Sequence, residues 1–212
     1  MIRVFRPFGA LATVLLLIAT LSASPGVAQS LDDGYAGSRL GSYIAGRIAR
    51  GANDTAAAVR FYREALKAAP DDPSIIEAAF LVEAAEGNAD RAIRLANNII
   101  RDQPQHRLAQ AWLGIAAFKA GKLGTADRHF KASAAGPIGE LTSALSRAWV
   151  AKRRGRTKLA LSHLKYSQRA EWAQYYLRYH RALIADLSGR TALAGQNFGR
   201  IFKSDARMPR IT

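Results

Sequence analysis

The sequence predicts an all-α chain, a solenoid of about five helical hairpins, and three observations carry that expectation. Glycines recur at Gly87, Gly121, Gly155 and Gly189, each 34 residues after the last. Alanines do the same at Ala58, Ala92, Ala126, Ala160 and Ala194, and another register holds the apolar Tyr62, Ala96, Phe130, Leu164 and Phe198. Between these marks the pattern is helical. In "AVRFYREALKAAPDDP" the residues Val59, Tyr62, Ala65, Leu66 and Ala69 share one face, and Pro70 and Pro73 forbid continuation. A fixed period held in several registers marks stacked supersecondary units, each too small to bury its apolar face alone.

The first 28 residues stand apart from the array. Arg3 and Arg6 precede an apolar run from Ala10 to Leu21, then Pro25 and the small-residue exit Gly26-Val27-Ala28. This is the pattern of a secretory signal peptide cleaved after Ala28. The run is shorter than the roughly 20 apolar residues that span a bilayer, so an uncleaved membrane anchor is the weaker alternative. The expected location is therefore outside the cytoplasm, a periplasm in a Gram-negative source. The absence of cysteine excludes a disulfide framework, thiolate chemistry and a lipid-modified N-terminal cysteine.

After a linker at 29–38, five units follow at 39–72, 73–106, 107–140, 141–174 and 175–208, with a tail at 209–212. In each, helix A ends at a glycine suited to a left-handed C-terminal cap, with Asn53 in that place in the first unit. Helix B then begins two or three residues later. Small residues such as Gly114, Ala148, Ala126 and Ala160 let the two helices approach closely, and Phe130, Leu164 and Phe198 fill the space between units. Asp71 and Asp72 are placed to cap the second unit. Glu83 falls in a register otherwise held by alanine, and is expected to form a partly exposed ion pair with Arg91 or Arg94. Trp172 replaces a closing proline, so the fourth helix B is expected to run on towards "EWAQYYLRYHRA". No polar capping helix follows the fifth unit, which suggests further repeats or a partner at that end.

The best-matching unit, "AQAWLGIAAFKAGKLGTADRHFKASAAGP", carries Leu113-Gly114, Gly121, Ala126, Phe130 and Pro137. On these residues the chain resembles the tetratricopeptide repeat family, over about 39–208. The resemblance implies a right-handed superhelix whose helices A line a concave groove for partner segments, often extended peptides. By register that groove is formed by Tyr43, Arg47, Arg50, Phe118, Lys119, Trp149, Lys152, Arg153, Tyr176 and Tyr179. Glu77, Leu81, Ala111, Ile115, Leu145 and Leu183 lie among them, and the aliphatics are equally suited to packing between helices. The family's subgroup that grips C-terminal carboxylates uses paired asparagines. Here Ile44, Ala78, Trp112, Ser146 and His180 hold those places, so that role is not implied.

Charge is unevenly spread. Residues 29–146 carry 14 Lys+Arg against 13 Asp+Glu, whereas 147–212 carry 15 against 3. Lys152, Arg153 and Arg154 are suited to the last turn of a helix, where cations oppose the dipole, but the excess is larger than that. It fits an acidic protein partner or an anionic envelope polymer or lipid headgroup. Nucleic acid would suit the charge but is not a partner an exported chain meets.

Chemistry is not legible. His106, His129, His163 and His180 lack converging acidic ligands, so no metal or cofactor is expected. No zinc-protease, nucleophile-elbow or phosphate-loop motif occurs. The pair Glu83/Glu86 has no surroundings that would split its pKa values. The sequence is read as an exported, non-catalytic scaffold for protein partners or extended peptides. The alternative is a cationic module, residues 147–212, for an anionic envelope component.

Overall fold

The structure is a computed structural model that describes residues 38–165 and 171–203. The signal-peptide reading and the tail lie outside the described residues. Ten helices are present among them: α1 (Arg39–Gly51), α2 (Thr55–Ala68), α3 (Pro73–Ala85), α4 (Ala89–Asp102), α5 (Arg107–Lys119), α6 (Leu123–Ala132), α7 (Gly136–Arg153), α8 (Thr157–His163), α9 (Glu171–Asp186) and α10 (Thr191–Lys203). They pack in chain order as five hairpins, and α7 also touches α5 and α9. No strand occurs among the described residues. The result is a helical solenoid.

Side chains start several of these helices. Ser38 accepts a hydrogen bond from the Gly41 amide at 2.9 Å, and Asp54 accepts one from Ala57 at 2.9 Å. Asp72, not Asp71, caps α3, accepting from Ser74 at 3.0 Å and Ile75 at 3.3 Å, with Pro73 in the first turn. Each cap satisfies amides that lack an intrahelical partner.

One turn joins the two helices of every hairpin. Gly121 has φ +73°; its amide bonds Phe118 O at 3.1 Å, and the Lys122 amide bonds Ala117 O at 2.9 Å. Gly155 repeats this with φ +73° and bonds to Lys152 O and Ala151 O, at 3.0 and 2.9 Å. Asn53 stands in with φ 59° and bonds Arg50 O at 3.1 Å. This paired bonding is the Schellman motif, which needs a residue in the left-handed region. Within the third hairpin, a Cβ on Gly114 would sit 2.6 Å from the Phe130 ring, so only glycine fits.

The core runs along the stack as clusters at successive hairpins. One gathers Ala58, Val59, Tyr62, Ala79 and Val82, the next Ile76, Phe80, Ala92, Ala96 and Leu113, and the last Ala148, Ala160, Leu164, Leu177 and Ile184. Residues at one register share a fate only where a neighbour covers them. Val82, Val150 and Ile184 are buried against the preceding hairpin, whereas Ile48, the same register in α1, is 67% exposed.

Three details differ from the sequence expectation. Glu83 is 1% exposed, not partly exposed, and its main partner is Arg63 of α2 rather than Arg91 or Arg94. Arg63 grips it with two bonds of 2.7 and 2.8 Å, Asn88 adds one of 2.7 Å, and Arg91 lies at 3.6 Å. Burial pushes this carboxyl's pKa up, and the Arg63 bonds and charge more than reverse it, leaving it below its ordinary value. Secondly, Pro137 opens a helix instead of closing one: α7 begins at Gly136, five residues ahead of the 141 boundary. Proline is accepted in a first turn, where its missing amide costs nothing. Thirdly, α8 does not run on; it ends at His163, and α9 starts afresh at Glu171.

Candidate functional site: the helix A wall

Helices α7 and α9 bring Trp149, Tyr176 and Tyr179 into one aromatic cluster. Trp149 Nε1 donates to His180 Nδ1 at 3.0 Å, and the two rings meet edge to face at 6.0 Å. Tyr179 stacks on Tyr175 at 6.5 Å, Tyr175 meets Tyr176 edge-on at 5.7 Å, and Tyr179 meets Phe198 of α10 at 6.4 Å. Trp172, Tyr176 and Tyr179 recur at helical spacing on α9 and remain exposed. Edge-to-face and offset contacts hold such rings rigidly, leaving apolar surface open at little entropic cost.

Phe118, Lys152 and Arg153 adjoin this cluster but are already engaged. The Arg153 guanidinium lies over the Phe118 ring at 4.9 Å and donates to Phe118 O at 2.7 Å. Lys152 Nζ donates to Leu187 O at 2.9 Å, just past the end of α9. Both cations thus satisfy carbonyls left open at the C-terminal ends of neighbouring helices A. Lys119 is exposed beside Phe118. Tyr43, Arg47 and Arg50 form a separate group on α1. Tyr43 meets buried Tyr62 edge-on at 5.9 Å, and the two exposed arginines act on the same phenol. Burial still raises the Tyr62 pKa, and its hydroxyl has no hydrogen-bond partner among the described residues. Leu81 and Leu145 pack against core clusters, while Ile115 is exposed.

The histidines hold structural positions. His106 caps α5, accepting from the Ala109 amide at 3.2 Å, with Glu77 at 3.3 Å on its other nitrogen. His129 pairs with Gln110 at 2.7 Å. Burial lowers the pKa of His129, His163 and His180; Arg128 adds to this at His129 and Arg147 at His163. No three His, Asp or Glu side chains converge as a metal site among the described residues. No described helix is long and apolar enough to cross a membrane.

By sequence, no family model and no curated protein matches the chain. By structure, it is similar to MamA, with a TM-score of 0.64 and 16% identity, over 78% of this chain and 90% of that one. It is also similar to PilW, a widely conserved type IV pilus biogenesis factor, at 0.62 and 18%, over 85% and 86% of the two chains. A thermophilic TPR protein of Thermus thermophilus aligns at 0.52 and 16%, over 80% and 93%. The chain has the tetratricopeptide repeat fold. In such an array the helix A register is a structural fact, and it places the ten groove positions on α1, α5, α7 and α9.

The register did not reveal the further members of the wall. Trp172 and Tyr175 lie outside the groove positions, and His180 was weighed only as a missing asparagine. The spacing "WAQYYLRYH" held the signal, since one helical face collects the exposed Trp172, Tyr176 and Tyr179. Nothing in the sequence marked Lys152 and Arg153 as bonding across hairpins, because those carbonyls belong to residues 35 positions away.

Proposed function

We propose that the chain is an exported, non-catalytic scaffold that binds protein partners or extended peptides along its helix A wall. The supporting observation is the aromatic cluster at Trp149, Tyr176 and Tyr179, pre-ordered by ring contacts yet open on one side. Aromatic residues are enriched where binding energy concentrates, and rigid rings lose little entropy when a segment lies down on them. Exposed Arg47, Arg50 and Lys119 on the neighbouring helices A favour an acidic segment. The test is panning of a displayed library of unstructured peptides against the chain. Selected peptides should lose roughly tenfold or more in affinity to Tyr176→Ala/Tyr179→Ala. Peptides bound equally well by that variant would contradict the reading.

A second reading rests on charge. Arg154, Arg156, Lys158, Lys165, Arg190, Arg200 and Lys203 are exposed and form no ion pair among the described residues. Such a surface suits an anionic envelope component held by salt-sensitive attraction.

A further inference from the structure

The repeat allows side chains at one register to be compared across hairpins, and one comparison leaves a charge without its counterpart. At the third junction Arg147 of α7 grips Asp127 of α6, with Nε–Oδ1 at 2.9 Å and Nη2–Oδ2 at 3.5 Å. Thirty-four residues on, Arg181 of α9 occupies the Arg147 register, and Leu161 of α8 occupies that of Asp127. Arg181 keeps the geometry: its Nη1 donates to the Leu161 carbonyl oxygen at 2.8 Å. What it lacks is the negative charge. A neutral carbonyl fixes the guanidinium in place but leaves its charge uncompensated.

The same corner gathers more cations around a cavity. A cleft of about 260 Å³ between the end of α8, α9 and α10 is lined by Lys165, Arg181, Leu193, Gln196, Asn197 and Arg200. Three of the six are cationic and none is acidic. Lys165 and Arg200 have no ion-pair partner among the described residues. Like charges crowded into one cleft repel one another unless an anion joins them.

We propose that this cleft binds a phosphate group, which supplies the negative charge that Asp127 supplies one repeat earlier. Phosphate fits better than a single carboxylate, because it offers three or four acceptor oxygens and up to two charges to three donors. Arg181, held by the Leu161 carbonyl, presents its remaining N–H groups as a fixed fork, the geometry that matches phosphate oxygens. Lys165 and Arg200 close on it as flexible charges. The site is separate from the helix A wall, and it gives a specific chemistry to the charge reading.

Two probes test the proposal on the chain itself: inorganic phosphate by calorimetric titration at constant ionic strength, and phosphatidylglycerol vesicles by co-sedimentation. Lys165→Gln/Arg200→Gln removes exposed cations only, and circular dichroism checks that it folds. Arg156→Gln/Lys158→Gln removes two cations of the same block outside the cleft. The expected result is one phosphate per chain, weakened roughly tenfold or more by the first pair and less than about twofold by the second. Vesicle binding that free phosphate displaces, with the same dependence, identifies a lipid headgroup as the source. Phosphate binding without vesicle binding identifies a soluble phosphate, and both outcomes uphold the site. Binding of neither probe, or equal weakening by both pairs, overturns it and leaves the peptide-binding proposal standing.

Discussion

The first three hairpins and the last two follow one backbone plan, with the same turn at Gly121 and Gly155, yet they handle charge in opposite ways. In the first part cations meet carboxylates across junctions: Arg63 with Glu83, Arg39 with Asp72, and Arg147 with Asp127. In the second part the cations that are engaged meet backbone carbonyls, as Lys152 does at Leu187 and Arg181 at Leu161. A carbonyl satisfies a donor and leaves the charge, so the C-terminal block carries its excess outward. Repetition fixes where a side chain stands; what it meets there is set residue by residue.

The largest expected effect lies at the best-compensated junction. Glu83→Gln keeps the shape and removes the charge that Arg63, Arg91 and Asn88 converge on. Breaking a buried pair costs about 3–5 kcal/mol; because Arg63 and Arg91 stay partly in water, about 2 kcal/mol is expected here. Asp127→Asn, at a pair exposed on both sides, should cost less than about 1 kcal/mol. Urea unfolding midpoints measure both, and equal losses would mean that burial does not distinguish the two junctions.

Acid should sharpen the same contrast. His129, His163 and His180 bind protons more weakly when folded, chiefly because they are buried. Below about pH 6.5 the unfolded chain therefore takes up protons first, and stability falls with pH. Glu83, held below its ordinary value, adds a further loss below about pH 4, where the unfolded carboxyl is protonated first. Melting temperatures at pH 7.5, 5.5 and 3.5 should decline in two steps; a flat profile from 7.5 to 5.5 would remove the histidine contribution. The first step should be the smaller in Gln replacements of His163 and His180, the histidines of the cationic part.

The period alone made the hairpins legible, because a left-handed cap and a close helix approach each admit few residue types. Asn53 as a stand-in for glycine, Asp72 as a cap and Gly114 beneath Phe130 all follow from that narrow choice. Boundaries set by one residue were harder. Pro137 suits a helix's first turn as well as a stop, and only packing decides which. The aromatic members of the wall were half legible: Trp149, Tyr176 and Tyr179 by register, while Tyr175 and His180 join through ring contacts between helices. The ion pair of Glu83 was anticipated, but its partner Arg63 is 20 residues upstream in another hairpin, beyond any local rule. The phosphate cleft was invisible in the sequence as a cluster, since Lys165, Arg181 and Arg200 meet only once three helices pack.

At the centre of the contrast is Arg181, an arginine that keeps its place in the repeat and has lost its carboxylate. Its most direct test is the melting temperature in sodium phosphate against sodium chloride of equal ionic strength. A ligand that binds only the folded chain raises the melting temperature as its concentration passes the dissociation constant. The prediction is a rise in phosphate over chloride for the chain, absent from Lys165→Gln/Arg200→Gln. Identical melting curves in the two salts, or a rise that the double substitution leaves intact, would contradict it.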